Sequence, residues 1–280
     1  DGQPETMVAI TGTNGKTSVA NFTRQIWEVL DLMAVNFGTV GVEGAVTAPL
    51  AHTTPEPITL HALLADLAAQ GVTHAAMEAS SHGLEQRRLD GVNLRAAAFT
   101  NLSRDHLDYH EGFDAYFNAK AGLFRRVLPE SAKAVINIDD ARGEILADEL
   151  ANVLTVGRRN ADIRIKNTRF RADGQDVLVS NDGINHLVRL DLIGGFQADN
   201  VMLAAGLVIA CGADVAKVFK ALEKLQTVNG RMDLVATRGN GAMVFVDFAH
   251  TPDALETALQ AMRPHVMGRL FVVFGAGGDR

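Results

Sequence analysis

The chain has 280 residues, 47% hydrophobic and 21% charged, the balance of a soluble globular protein with one large domain or two. Its formal net charge of −7 argues against a broad attraction to nucleic acid or an anionic membrane, while leaving room for a local basic pocket. A lone cysteine, Cys211, excludes an intrachain disulfide; with no run of about 18 apolar residues and no signal peptide, the expected location is the cytoplasm.

Met7 to Ile10 is short, apolar and β-leaning, and Val19, Phe22, Ile26 and Val29 recur at helical spacing. Between them lies Thr11-Gly12-Thr13-Asn14-Gly15-Lys16-Thr17-Ser18, a glycine turn from a strand into a helix N-terminus. Backbone N–H groups there lack partners, and the helix dipole favours an anion. Lys16 adds a mobile cation, and Thr17 a hydroxyl able to ligate a phosphate-bound Mg²⁺. The usual phosphate-loop pattern has a glycine where Ile10 stands, so the alternative is a chance loop with a solvated Lys16. The flanking strand and helix favour triphosphate binding.

Gly38 to Gly44 shows no clear periodicity. His52-Thr53-Thr54-Pro55-Glu56-Pro57 reads as a polar turn that starts a helix, with threonines as caps and prolines in the first turn. That helix places Leu60, Leu63, Leu64 and Leu67 on one face and stops at Gly71. Thr73 to Met77 reads as a buried strand with Glu78 at its C-terminal end, where open α/β sheets bind ligands. Glu78 is either a Mg²⁺ carboxylate or a helix cap. Ser80 to Arg88 is a loop dense in hydrogen-bonding groups, for a ligand or for solvent. Leu94 to Thr100 is a second such strand, followed by Asn101 to Asp108; beside a phosphate loop and Glu78, His106 becomes a candidate ligand.

In the next helix Phe113, Tyr116, Phe117, Leu123, Phe124 and Val127 share one face, and Lys120 falls near its middle. An ammonium there must be paired, neutralised or chemically changed, unless the side chain snorkels to water. Ala134 to Ile138 is a further strand, ended by Asp139 to Gly143. Short alternating strands from Asp162 to Leu192 surround the hairpin turn Asn181-Asp182-Gly183, an antiparallel appendage to a mostly parallel sheet. An apolar helix, Val201 to Cys211, carries the thiol as a packed core group, and another helix runs to about Leu225. After a break at Val228 to Met232 come a strand at Met243 to Val246, a helix at Pro252 to Met262 and a strand at Leu270 to Phe274. A piece this short cannot bury both faces of a sheet, so it is expected to open a second, Rossmann-like α/β domain. The expected domains are therefore 1–232 and 233–280.

Together these motifs resemble the Mur ligase family. The carriers are the loop Thr11 to Thr17, Thr53-Thr54-Pro55-Glu56-Pro57, Glu78 to Leu84, Thr100 to Asp108, Asn229-Gly230-Arg231-Met232, Asp247 to Asp253 and Gly275 to Arg280. Ile10 in place of a glycine suits this family. The resemblance falls nearest the members that add a diamino acid, meso-diaminopimelate before L-lysine, to UDP-MurNAc-L-Ala-D-Glu. It implies ATP-dependent phosphorylation of the D-glutamate γ-carboxylate, then attack by the amine on the acyl phosphate.

By the same resemblance Gly12, Thr13, Asn14, Gly15, Lys16, Thr17 and Ser18 cradle the phosphates. Thr17 and Glu78 serve one Mg²⁺; His106 and Lys120 serve a second, with Lys120 carbamylated by CO₂. His52, Thr53, Thr54, Ser80, Gln86 and Arg88 hold the nucleotide-sugar dipeptide. Asn200 matches an adenine contact, Arg231 a γ-phosphate contact and Asp247 a ribose contact. Phe248 departs from the tyrosine found in many relatives. The resemblance further implies that a UDP-binding domain, most of the C-terminal domain and the segment selecting the amino acid lie outside this chain. Alone, a monomer, it is expected to be weakly active or inactive. The competing readings are a folylpolyglutamate synthase, the next ligase of the wall pathway, a nucleotide-driven switch and a degenerate structural domain.

Overall fold

The computed structural model describes residues 2–103 and 110–275. The elements run β1 (Thr6–Thr11), α1 (Lys16–Val29), β2 (Ala34–Gly38), β3 (Gly41–Gly44), α2 (Pro57–Ala69), β4 (His74–Glu78), α3 (Ser81–Glu85), β5 (Ala96–Phe99) and α4 (Phe113–Gly122). Then follow β6 (Lys133–Asn137), α5 (Ala141–Glu149), β7 (Val153–Gly157), β8 (Ile163–Arg171), β9 (Gly174–Asn181), β10 (Ile184–Leu190), α6 (Phe196–Ala210), α7 (Val215–Ala221), β11 (Asp233–Thr237), β12 (Met243–Val246) and α8 (Pro252–Met262). Among the described residues, β10-β9-β8-β7-β6-β5-β1-β4-β2-β3 form one ten-stranded sheet, parallel from β2 through β8. The antiparallel appendage, β8 to β10, continues that sheet as expected.

β1 shows why the sheet needs helices on both sides. Met7 and Ala9 face one hydrophobic cluster, which includes Leu60, Leu64 and Phe117; Val8 and Ile10 face another, with Phe22, Val201 and Leu207. Strand alternation thus feeds two cores, and both faces are covered. Chain order reverses at β1, which pairs with β4 on one side and β5 on the other. The C-terminal ends of β1, β4 and β5 therefore meet at a topological switch point, which opens a crevice.

Several expectations need correction. Gly38 to Gly44 is the turn and returning strand of a hairpin, β2 with β3, hidden in the sequence by its glycines and by a buried polar residue, Asn36. Neither Thr53 nor Thr54 caps α2; Glu56 holds that position, and Pro57 opens the helix. The helix carrying Lys120 ends at Gly122 and relaxes into a π-helical turn over Leu123–Val127. Asp140 caps α5, accepting from Arg142 N at 2.9 Å and Gly143 N at 3.1 Å. Residues 270–274 form no strand: Phe271, Val273 and Phe274 are exposed, and β12 pairs with β11 instead. A strand composition without a neighbouring ladder leaves backbone groups to water.

Cys211 is the C-cap of α6, half-buried and packed against the edge of the core cluster that holds Val201 and Leu207. Burial pushes that thiol up to about 12. At pH 8 the thiolate is then about a thousandfold scarcer than in an unfolded chain, whose thiol titrates near ~8.5. Iodoacetamide should alkylate the native protein orders of magnitude more slowly than the urea-unfolded one; equal rates would refute the shielding. Among the described residues no helix is long and apolar enough to cross a membrane.

Candidate active site

A cleft of about 600 Å³ opens at the switch point. Its floor is the turn from β1 into α1. Gly12 has φ +142°, and a Cβ there would stand 1.9 Å from Thr100 Oγ1; only glycine lets the loop pass this close. Gly15 (φ +87°) is the N-cap of α1, with no side-chain cap, so the first-turn N–H groups have no capping oxygen. The loop is fastened from the β5 side. Thr13 N donates to Asn101 O (2.8 Å), Asn14 N to Asn101 Oδ1 (3.0 Å) and Thr100 Oγ1 to Asn14 O (2.6 Å). Asp140 in turn holds Leu102 N at 2.8 Å. Such bracing pre-forms an anion cradle.

Two lysines meet below this loop. Lys16 Nζ donates to Gly12 O (3.0 Å) and Thr13 O (2.8 Å). Lys120 Nζ donates to the same Gly12 O at 2.7 Å and lies 4.5 Å from the Tyr116 ring centroid. Lys120 is only 1% exposed, which removes the snorkelling alternative.

Opposite them, Glu78 is buried at the end of β4. Its carboxylate accepts from Thr17 Oγ1 (3.1 Å), Thr39 N (2.8 Å) and Thr39 Oγ1 (3.2 Å). Glu78 is thus not a helix cap; Ser80 caps α3, accepting from Gly83 N. A hydroxyl and a carboxylate this close, beside an uncapped helix N-terminus, are hard oxygen donors of the kind Mg²⁺ takes alongside phosphate. The donor set fits that ion.

Arg231 reaches in from the linker before β11. Its Nη2 donates to Thr17 Oγ1 (3.2 Å), and its guanidinium packs 4.4 Å from the Phe248 ring centroid. Burial pulls the guanidinium below its ordinary pKa, against the opposing pull of Glu78 and Asp247. Asp247 accepts from Met232 N and Ala249 N, both at 2.8 Å, so its carboxylate also shapes the linker that presents Arg231. Asn200 lies on α6 against Gly15 and donates to Gln197 Oε1 at 3.0 Å.

The cleft gathers Thr13 to Ser18, Thr53, Glu78, Ser80, Lys120, Asn200, Arg231 and Asp247 of the expected site. His52, Thr54, Gln86 and Arg88 are not among its described lining residues, and His106 lies outside the described residues. Thr54 is buried, with its hydroxyl spent on Glu78 O (2.9 Å) and Ser80 N (3.0 Å). Arg88 holds Thr54 O at 2.6 Å and Gln86 Oε1 at 2.6 and 3.0 Å. These residues brace the rim that carries Thr53. Thr39 and Asp140 line the cleft without having been expected there. Both follow strand C-terminal ends, which was the available signal; the unrecognised β2 concealed Thr39.

Comparison with known proteins adds independent findings. Residues 10–208 match the family model described as the Mur ligase middle domain, and residues 230–280 the one described as the Mur ligase, glutamate ligase domain. The chain is 50% identical over 284 residues to the UDP-N-acetylmuramoyl-L-alanyl-D-glutamate–2,6-diaminopimelate ligase of Chelativorans sp. (strain BNC1), covering 99% of this chain and 59% of that protein. It is 51% identical over 283 residues to the Mesorhizobium japonicum protein of the same name, covering 99% and 58%. A solved structure of a ligase of that name superimposes with TM-score 0.83 at 35% identity, over 99% of this chain and 57% of the other. Mycobacterium tuberculosis folylpolyglutamate synthase, at 21% identity and TM-score 0.75 over 94% of this chain and 67% of its own, shares the fold. The chain thus spans under three fifths of the length of these curated relatives.

Proposed function

The chain belongs to the Mur ligase family, and from that premise we propose that it is the catalytic centre of an ATP-dependent amide ligase. In this reading the parent protein joins meso-diaminopimelate to the D-glutamate γ-carboxylate of UDP-MurNAc-L-Ala-D-Glu, in the cytoplasm and as a monomer. Residues 1–232 form the ATP-binding domain, and 233–280 begin the next. The observation that carries the proposal is the convergence on one cleft of an uncapped α1 N-terminus, Lys16, the Thr17–Glu78 pair and Arg231.

The chemistry has two stages. The γ-carboxylate oxygen attacks the terminal phosphorus of ATP, the bond to the bridging oxygen breaks, and ADP leaves. The amine then attacks the acyl carbon, phosphate departs, and one proton is released. Charge grows on the transferred phosphoryl group, so catalysis is chiefly positioning and electrostatic stabilisation. The α1 N–H groups and Lys16 hold the phosphates, Arg231 approaches from the linker, and Asn200 and Asp247 border the nucleoside. Mg²⁺, when bound, screens the two anions that must meet. Thr17 and Glu78 would hold one ion; His106 and a carbamylated Lys120 would hold a second. Ser80, Thr53, the neighbouring His52 and the rim braced by Thr54, Gln86 and Arg88 would receive the dipeptide.

The deciding assay follows ADP release by the full-length protein with UDP-MurNAc-L-Ala-D-Glu, comparing meso-diaminopimelate, L-lysine, D-alanyl-D-alanine and glutamate as amines. Turnover with meso-diaminopimelate supports the proposal; turnover only with another amine overturns it. Arg88→Ala removes the charged hydrogen bond that holds Thr54 O, and by slackening the rim that carries Thr53 should raise the KM for the dipeptide about tenfold and leave the KM for ATP unchanged. Equal changes in both would place the rim wrongly.

A further inference from the structure

We propose that Thr39 is a positioning residue that couples cation binding at Glu78 to dipeptide binding at Thr53. The inference rests on the ligase reading of the cleft. Thr39 follows β2, where the sequence is rich in glycine and carries no motif. Its N–H and hydroxyl both reach the Glu78 carboxylate, at 2.8 and 3.2 Å, and its hydroxyl lies 3.1 Å from the Thr53 hydroxyl. One side chain thus joins the carboxylate on the metal side to a threonine on the acceptor side.

The direction of this chain follows from donor chemistry. A carboxylate only accepts, so the Thr39 proton points to Glu78. A hydroxyl has a single proton, so in the Thr39–Thr53 contact the donor is Thr53. Thr53 then spends its proton on Thr39 and offers a ligand only lone pairs. That is the wrong polarity for an anionic acceptor carrying carboxylates. A divalent cation on Glu78 draws on the same carboxylate electrons that hold the Thr39 proton. With that hold weakened, Thr39 can turn its proton to Thr53, and Thr53 can donate into the cleft. Two hydroxyl rotations transmit cation occupancy to the acceptor side without backbone movement.

The surroundings favour such a relay. A Cβ on Gly38 would stand 2.2 Å from Glu78 Oε1, so the carboxylate lies close against the Gly38 backbone and only glycine leaves room for it there. Thr54 Oγ1 donates to Glu78 O at 2.9 Å and fixes the segment carrying Thr53 to the end of β4. Both ends of the relay are held, and the hydroxyl torsions between them are free to turn.

The test uses the full-length protein with AMP-PNP as an unreactive nucleotide. UDP-MurNAc-L-Ala-D-Glu is titrated calorimetrically in Mg²⁺ and in EDTA. Wild type should bind about tenfold more tightly in Mg²⁺, within the usual range of coupling between sites. Thr39→Val keeps the side-chain shape and removes the hydroxyl, and should bring the two Kd values within about twofold. Thr39→Ser should restore the difference. A Thr39→Val protein that keeps the Mg²⁺ effect overturns the inference, as does a wild type whose dipeptide affinity ignores Mg²⁺. A wild type that binds no dipeptide at all overturns the ligase reading, and this inference with it. If Thr39→Val fails to fold, Thr53→Val breaks the same contact from its other end, and retention of the Mg²⁺ effect there is equally decisive.

Discussion

Replacing Lys16 by alanine should abolish acyl-phosphate formation in the full-length protein, lowering kcat by about a thousandfold, while the fold survives. Lys16 Nζ rests on Gly12 O and Thr13 O, at the mouth of the uncapped helix. It is half-buried and makes no contribution to either apolar cluster, so its removal leaves the core intact. On the ligase reading, what is lost is a positive charge at the point where phosphoryl charge would develop. Removal of one such preorganised donor costs roughly 10²–10³ in rate in comparable sites, and a full charge belongs at the upper end. Trapping with hydroxylamine in a single turnover reads the acyl phosphate directly, and a melting curve reads the fold. A variant that keeps more than a tenth of wild-type turnover would remove Lys16 from the chemistry.

How much of this was legible beforehand depends on whether a signal was local. The β1–loop–α1 unit could be read because strand, glycine turn and helix are contiguous and each obeys its own periodicity. Lys120 stood out because a charge broke an apolar stripe, and the structure buries it at 1% exposure. Thr39 gave no local signal. Its meaning comes from β2 lying beside β4, a pairing of segments 40 residues apart in register, such as Ala34 with His74. Thr54 was hard to read for a related reason. Its pattern fits a helix start or a ligand contact, yet its hydroxyl joins β4 to the following loop. The strand composition at 270–274 shows the converse. Residues there satisfy strand propensity, but a strand exists only with a partner, and β12 already pairs with β11. Asp247, expected at ribose, also holds Met232 N. That second use could be seen only once the linker's path was known.

Lys120→Arg should lose at least a hundredfold in turnover although it preserves the positive charge. Lys120 is enclosed by the π-cloud of Tyr116, 4.5 Å away, and by Gly12 O at 2.7 Å. A guanidinium is larger, stays protonated and cannot take up CO₂. A lysine amine can. The ammonium first gives up one proton; addition of the neutral amine to CO₂ then forms the N–C bond and releases a second, so a cation becomes a carbamate anion with two protons lost in all. The modified nitrogen keeps one N–H, so the bond to Gly12 O can persist while the new carboxylate serves a cation. An anion buried here needs such a partner, because an uncompensated charge away from water is costly. Carbamylation and Mg²⁺ binding should therefore reinforce one another. Carbon-13 spectra of the full-length protein in labelled bicarbonate should show a carbamate resonance that sharpens with Mg²⁺ and is missing in Lys120→Arg. Activity should fall in CO₂-free buffer and return with bicarbonate. An Arg variant within tenfold of wild type, or a wild type with no labelled resonance at saturating Mg²⁺ and nucleotide, would show that Lys120 acts as a plain ammonium beneath the phosphate loop.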